Sequence, residues 1–490
     1  IATFGGSIWG MQFVEQQFFP NSERPELIVD VTLPQNASIA ETKAQMDRLE
    51  GRLKDHEDVV FWSSYVGRGA PRFLLTHDVE TPGPNMGQIV IQTPSVEARD
   101  ALRAEIERVA ADEFPGVDAF VKLVALGPPV GRPVQYRLSG PDVETLRDQA
   151  RDLAAVVATD PRLSGVVMDW NEPTRVVRVD ILQDKARQLG ITPRDIASAL
   201  YAIYDGTKVT ELRDAAYLVD IVARGNDVAR TSVEGLENLQ LSTADGETIP
   251  LRSVASFRYE TEQPVIHQRN RMPTITVKAA LATDDQPATV VADLADKIAA
   301  FDAGLPLGYR VELGGTVEES AQSQAPIAQV VPLMVLIMLT LIMIQMQGFR
   351  LTFVVLCAAP LGLIGVVAAL VPSGAPLGFV AILGVLALVG ILIRNSIILV
   401  SEIEVLRAKG VAAWDAVFQA SDSRARPILL TAAAASLALI PISRQIFWGP
   451  MAYAMMGGII AGTVITLVFV PALYLAVFRV KRGEGQAKVD

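Results

Sequence analysis

The sequence predicts an α+β membrane protein: split βαβ sandwiches carrying an inserted subdomain, followed by an α-helical transmembrane bundle. Three observations predict it. The C-terminal third holds five apolar runs joined by short connections. Before them, a strand, amphipathic helix, strand pattern recurs four times. Charge also divides between these parts. Residues 327–490 hold 11 Lys/Arg against 6 Asp/Glu, a balance of +5, which leaves −16 on residues 1–326 from the chain totals of 43 and 54. At 490 residues the chain exceeds one domain.

Residues 1–14 (IATFGGSIWGMQFV) are apolar and end at Glu15. A bilayer span needs about 20 apolar residues, so this run is too short. It lacks the basic start and small-residue cleavage site of a signal peptide. It reads as the outer end of a transmembrane helix that begins upstream, and residues 1–23 are taken as that end plus a linker.

The first copy of the pattern starts with a strand over 27–33. Ser38 and Glu41 predict a capping box, and Ile39, Met46, Leu49 and Leu53 mark one helical stripe. A strand follows over 59–66. The second copy runs from 88–92 through Leu102, Ile106 and Val109 to 119–124. The third runs from 134–139 through Leu146, Ala150, Leu153 and Val157 to 175–181. The fourth runs from 274–281 through Val291, Leu294 and Ile298 to 309–313. Paired units of this kind build a ferredoxin-like sandwich, so two are expected, over 24–133 and over 134–181 with 268–320. The insertion, 182–267, has its own helix start at Thr192, Pro193 and Asp195. There Thr caps, Pro takes the first helical position and the acid sits in the first turn. Asp245-Gly246 predicts a turn.

The apolar runs are 327–346, 351–371, 377–400, 427–442 and 451–478, read as five transmembrane helices over 327–478 with a tail at 479–490. The run after Pro427 is short and is expected to extend or tilt. Basic residues in short loops set orientation. The 401–426 connection has Arg407, Lys409, Arg424 and Arg426, and the tail has Arg479, Lys481, Arg482 and Lys488. The 372–376 loop has none, and 443–450 has only Arg444. The tail and the 401–426 loop therefore read as cytoplasmic, and residues from about 15 to 326 as external. Glycines 378, 384, 390, 457, 458 and 462 read as close-packing positions between helices.

Several function classes fall away. An acidic soluble portion argues against nucleic-acid binding. Cys357 stands alone, so no intrachain disulfide or thiolate metal cluster can form. His56, His77 and His267 lack metal-ligand spacing and read as surface or loop residues. No Walker motif, catalytic triad or Cys-His pair stands out, and no cofactor is implied. Met46, Met86, Met168 and Met272 lie far apart, which disfavours a soft-metal site without excluding convergence in three dimensions.

The remaining signal is Arg394, within the apolar run ILIRNSIILV. A guanidinium in hydrocarbon is costly and marks a functional site by default. The competing reading is a snorkelling anchor, since Arg394 lies six residues, about 9 Å, from the assigned cytoplasmic end.

Five stretches, FFPNSERPELIVDVTLP (18–34), LGITPRDIASAL (189–200), GYRVELGG (308–315), ILIRNSIILV (391–400) and RARPILLT (424–431), taken in order and spacing, resemble the resistance-nodulation-division (RND) transporters. Within these the likeness is to the C-terminal half of a hydrophobe/amphiphile efflux permease. The resemblance implies that the basic residue at Arg394 faces a carboxylate pair in the N-terminal half, and that protonation of the pair drives transport. The family usually has Lys there. Arg keeps its proton, so Arg394 is a counter-ion rather than a proton carrier. Carry-over makes Asn395, Arg424 and Thr431 relay neighbours. Arg424 and Thr431, seven apart, share a helix face. An anchoring Arg424 and a packing Thr431 are the competing readings.

The resemblance also places the drug pocket near FWSSYVGRGAPRF (61–73). Phe61, Trp62, Tyr65 and Phe73 are its aromatic candidates, with Gly67 and Gly69 in a mobile loop; aromatic walls suit bulky apolar ligands. Core-filling aromatics and a plain turn are the alternative. Further implications are amphiphilic substrates, a homotrimer in the inner membrane, a periplasmic adaptor, an outer-membrane channel and a docking role for the insertion. A heavy-metal exporter and a membrane accessory factor for lipid or protein handling are the rival functions, and an enzyme is disfavoured.

Overall fold

The structure, a computed structural model, describes residues 2–20, 22–226, 230–243, 245–283 and 285–480. Lys481, Arg482 and Lys488 of the tail lie outside the described residues. The chain separates into two units, 1–170 with 266–490, and Asn171–Val265.

The first unit begins with helix α1 (Ala2–Gly10) and a tight turn to Phe13. Val14 is buried with Val366, Leu370 and Leu388 of the apolar helices. The first sandwich then runs β1 (Glu26–Thr32), α2 (Ile39–Leu53), β2 (Phe61–Val66), β3 (Met86–Gln92), α3 (Val96–Glu113) and β4 (Asp118–Leu123). Its strand order is β2-β3-β1-β4, antiparallel throughout. Alternation decides the faces: Leu27, Val29, Val31, Ile89, Ile91 and Val121 are buried against Met46, Leu49, Leu53, Leu102 and Ile106 of the helices. Ser38 caps α2 by accepting from the Glu41 amide at 3.1 Å. The reciprocal half of the expected box is missing, because the Glu41 carboxylate accepts from Gln45 instead. Ile39 is 54% exposed and does not join the stripe.

The second sandwich has β5 (Val134–Ser139), α4 (Val143–Val157), β6 (Leu163–Met168), then after the insertion the short β13 (Gln268–Arg269), β14 (Met272–Leu281), α8 (Pro287–Ala303) and β15 (Arg310–Gly314). β6 and β5 flank β14, and β15 pairs with β5, so the order β6-β14-β5-β15 repeats that of the first sandwich. The strand expected at 175–181 in this sheet is β6 instead. The expected segment is β7 (Thr174–Ile181), which pairs with β12 (Ala255–Glu262) in the inserted unit. Trp170 is buried in the sandwich core and the insertion starts at Asn171, eleven residues earlier than the sequence suggests.

In that sandwich the Asp160 carboxylate accepts from the Arg162 amide and guanidinium at 2.7–3.0 Å, and Arg162 reaches Asp293 on α8 at 2.9 Å. Hydrogen bonds from Arg162 hold Asp160 down at about 2, against an ordinary 3.8. A depressed folded pKa means stabilisation that is full above the ordinary value and lost as pH falls through about 2. Asp160→Asn is therefore expected to lower the melting temperature at pH 7, with the difference from wild type shrinking between pH 4 and pH 2. An equal difference at all pH values would remove the ionic explanation.

The inserted unit contains β7, α5 (Gln183–Gln188), α6 (Pro193–Tyr204), β8 (Thr207–Asp214), β9 (Tyr217–Ala223), α7 (Val233–Glu237), β10 (Gln240–Ser242), β11 (Thr248–Pro250) and β12. Thr192 and Asp195 form the full capping box at α6. The β10–β11 turn includes Gly246 at φ +81°, as Asp245-Gly246 predicts. Ile191, Ile196, Leu236, Leu241, Leu251 and Val254 make a separate core. The β8–β9 hairpin is exposed along its whole length.

The apolar part comprises α9 (Gly315–Met346), α10 (Phe349–Leu356), α11 (Gly362–Ser373), α12 (Phe379–Ala408), α13 (Ala413–Leu439) and α14 (Gly449–Phe478). Among the described residues four helices are long and apolar enough to cross a membrane. The second of the five expected runs is broken at 357–361 into α10 and α11. Pro360 has no amide to continue the ladder, and the turns there close three residues back, as in Ala358 to Val355 and Ala359 to Leu356. The short fourth run gains length at its start, because α13 begins at Ala413 and carries Pro427 inside it. α9 continues directly from β15: Gly315, at φ +69°, bridges Val134, and Glu318 pairs with Arg137 and Arg269.

Candidate functional site

Helix α12 buries Leu388, Leu392, Ile393, Ser396, Leu399 and Val400 against its neighbours. Arg394 lies on the other side and is exposed, and Asn395 beside it is half-buried. Among the described residues Arg394 has no hydrogen bond or ion pair. A guanidinium on a membrane helix must find water, headgroups or a counter-charge, and none comes from this chain's own helices. Arg424 on α13 is ion-paired with Glu402, eight residues beyond Arg394 on α12. The Thr431 hydroxyl donates to the carbonyls of Pro427 and Ile428, both at 3.0 Å, within its own helix. The four relay candidates therefore sit on adjoining helices without bonding to one another. Two acids escaped the sequence reading because they lie just past the apolar run. These are Glu402 and also Glu404, which joins Arg407 and the fully buried Tyr474, whose hydroxyl accepts from Arg407 at 2.8 Å and donates to Glu404. Their signal was the acid at Glu404 three residues before Arg407 on one helix face.

The aromatic segment divides along β2. Phe61 is 58% exposed, while Trp62 and Val66 pack on the first sandwich core. Tyr65 is half-buried, and the Phe73 ring lies 4.9 Å from His77. Gly67 has φ +77°, and Gly69 is buried where a Cβ would meet the Glu80 backbone at 3.1 Å. None of these six residues lines the cleft that opens nearby. The cleft, of about 1380 Å³, lies open between the two sandwiches. The outer face of the first sheet supplies Ile28, Phe120 and Lys122, and the second sandwich supplies Lys278 and Ala280. The Arg132 guanidinium sits 4.6 Å over the Phe120 ring and pairs with Asp118.

One wall of the cleft covers a charged cluster. The Lys122 ammonium lies 2.5 Å from Asp30 and 3.1 Å from Glu80. Gln88 donates to Asp30 at 2.6 Å and accepts from the Ala70 amide at 2.8 Å. Burial pushes the Asp30 carboxyl above its usual range, with Lys122 opposing. Burial would lower Lys122, but Asp30 and Glu80 outweigh it and hold the amine above its ordinary value. His77 is only 4% exposed, against the surface position expected, and its Nε2 is buried without a partner. Burial and then Lys122 push it below 6.5. The sequence carried a signal for this cluster: Asp30 and Lys122 are charged residues inside the apolar strands LIVDV and AFVKL.

Gln17 to Pro20 and Ser22 form the cleft floor, and this stretch, with the chain on either side of it, is fastened to the apolar helices. The Leu377 amide donates to Glu15 at 2.7 Å, Phe379 to Phe18 at 3.3 Å, and Ile446 to the Glu23 carboxylate at 3.1 Å. The Phe19 ring lies 5.5 Å from Phe379 and stacks on Phe447 at 6.1 Å. Gly127, in the linker between sandwiches, makes room for it, since a Cβ there would come within 2.3 Å of the ring. The cleft thus rests on the first turn of the helix that carries Arg394.

The family model for the AcrB/AcrD/AcrF family matches residues 1–478. Two crystal forms of a heavy metal efflux pump superpose with a TM-score of 0.79, at 22% and 23% sequence identity. Each alignment covers 98% of this chain and 50% of the other, so the chain spans about half the length of these structures.

Proposed function

The chain belongs to the AcrB/AcrD/AcrF family of RND permeases, and from that premise we propose that it forms the C-terminal half of a proton-driven efflux permease for amphiphilic small molecules. The observation that carries the reading is Arg394, an exposed guanidinium with no hydrogen bond or ion pair among the described residues, on a membrane helix whose opposite face is packed. In this reading its counter-charge is a carboxylate pair supplied from outside the chain. Protonation of that pair releases it from Arg394, and the resulting movement of α12 passes to the cleft floor through Phe18, Phe19 and Phe379. Asn395 borders the site, Arg424 ties α13 to α12 through Glu402, and Thr431 completes the relay.

Amphiphiles suit a cleft that sets Phe18, Phe19, Ile28 and Phe120 beside Lys122 and Lys278, because apolar walls give affinity and a few polar groups give orientation. Phe61, Trp62, Tyr65, Gly67, Gly69 and Phe73 form a proposed second contact beyond the cleft. We take both sandwiches as ferredoxin-like and periplasmic, the α12–α13 connection as cytoplasmic, and the assembly as an inner-membrane trimer. Its inserted unit would serve docking, with a periplasmic adaptor and an outer-membrane channel completing the pump.

A metal exporter is the second reading, favoured by the fold shared with the heavy metal efflux pump. Among the described residues no group of three or more His, Cys, Asp or Glu is placed to hold a metal ion. The full-length protein, expressed in a pump-deficient host, is expected to lower accumulation of cationic and neutral dyes several-fold while leaving divalent-metal tolerance unchanged. Metal tolerance without dye efflux would replace the amphiphile reading with the metal one.

A further inference from the structure

We propose that Lys122 is the positioning residue of the cleft wall: its ammonium, gripped between Asp30 on β1 and Glu80, seats the 67–85 segment on the outer face of the first sheet and so sets how open the cleft is. β2 and β3 are antiparallel neighbours, which two residues suffice to join. Here residues 67–85 join them, without a helix or strand. Both ends are fastened by backbone: the Gly67 amide donates to Met86 at 2.8 Å, and Gly83 to Gly67 at 3.1 Å. The Asn85 side chain adds a donor to Leu33 at 2.9 Å. Between these ends the segment touches the sheet through polar groups at two places, the Ala70 amide on Gln88 and the Glu80 carboxylate on Lys122. Both lead to Asp30, which Gln88 and Lys122 share.

The residues so held, Thr76 to Thr81, form the cleft wall. Apart from the buried Ala70 and His77, the middle of the segment packs little apolar surface. Leu75 is 86% exposed and Val79 54%. His77 is buried with Nε2 unsatisfied, a penalty that lifting the segment into water would relieve. The charged contact from Lys122 thus adds to the limited packing that holds the middle of the segment on the sheet. Asp30 and Glu80 hold the amine above its ordinary value, so Lys122 is cationic at neutral pH.

The inference takes the cleft as the substrate route proposed above, but its test uses no transport. Full-length protein carrying Glu80→Gln keeps the Lys122–Asp30 pair and loses the carboxylate that Lys122 holds on the segment. Hydrogen exchange at the Ala70, His77 and Gly83 amides is expected to accelerate about tenfold, the size of one charged hydrogen bond, with Val29 and Ile89 unchanged. Glu80→Asp should restore most of the protection. In a cysteine-free background that includes Cys357→Ser, Ala280→Cys should react faster with a maleimide when Glu80 is neutralised. Unchanged exchange in Glu80→Gln would overturn the role of Lys122. Acceleration spreading to Val29 and Ile89 would reduce it to general stabilisation of the sandwich. Faster exchange with unchanged labelling would show that the segment does not govern the cleft. Absence of dye efflux by the wild-type protein, with these readouts as expected, would refute the substrate route and leave the positioning role standing.

Discussion

Arg394→Ala in the full-length protein is expected to abolish uphill efflux while the protein still folds and inserts. The argument turns on the sign of what the side chain costs. A guanidinium at the middle of a membrane helix costs about 2.5–3.5 kcal/mol on insertion scales, and more without a partner. If Arg394 only snorkels, its removal relieves that cost, and the variant should be as stable and as active as wild type. If it is the counter-charge of a buried carboxylate pair, its removal strands those acids. Without the neighbouring cation their pKa values rise, they stay protonated, and the cycle halts at one step. Arg394→Lys separates charge from geometry. It keeps the positive charge but loses the planar fork that binds a carboxylate through two bonds, so intermediate efflux is expected. Dye accumulation at matched expression decides the matter, with size-exclusion behaviour confirming assembly. Full efflux by the alanine variant would leave Arg394 as an anchor and remove the observation on which the proton reading stands.

The sequence was most legible where a local rule had no tertiary competitor. Thr192-Pro193-Arg194-Asp195 forms the capping box it predicts, because every bond in it is local. The repeated strand and helix pattern was legible because alternation along Leu27, Val29 and Val31 reports one buried face. It failed at the third copy. The true strand there, LSGVVM, is short and carries Gly165 at φ +55°, whereas TRVVRVDI is longer and richer in β-branched residues. Propensity selected the stronger strand but could not say which sheet it joins. The apolar runs were visible as runs, yet the break at 357–361 depends on how Pro360 is accommodated by its neighbours. The cleft is the least legible part: it is built by residues from six or more separate elements, including a strand lysine and the linker before β1, and no single motif marks it. Only the odd charge at Asp30 and at Lys122 pointed there, and it becomes informative once β1 and β4 are known to be neighbours.

The membrane helices offer the other large effect. Substitution of Gly457 by valine is expected to prevent assembly of the bundle, and even alanine should damage it. At this crossing α11 and α14 touch through bare backbone. A Cβ on Gly457 would lie 2.3 Å from the Gly365 carbonyl oxygen and 2.4 Å from the Ala369 side chain, and a Cβ on Gly365 would lie 2.1 Å from the Gly457 oxygen. Backbone atoms cannot rotate away as a side chain can, so the helices must part. Separation forfeits the close van der Waals contact that replaces the hydrophobic drive between helices in lipid. Overpacking in an ordinary core costs about 1–3 kcal/mol, and a backbone collision across a whole helix pair belongs at or above the top of that range. The other glycines predict a graded series. Gly458 and Gly462 face the tips of Leu388 and Leu392 at 2.0 Å, which can shift, so alanine there should cost less. Gly390 has nothing within 4 Å. Alanine at that position should be neutral or stabilising, since glycine weakens a helix by about 1 kcal/mol. The temperature at which each detergent-solubilised variant loses its monodisperse peak ranks them. The expected order of loss is Gly457, then Gly458 and Gly462, with Gly390 last. Comparable losses at Gly390 and Gly457 would mean that helix flexibility, rather than close approach, is what these glycines provide.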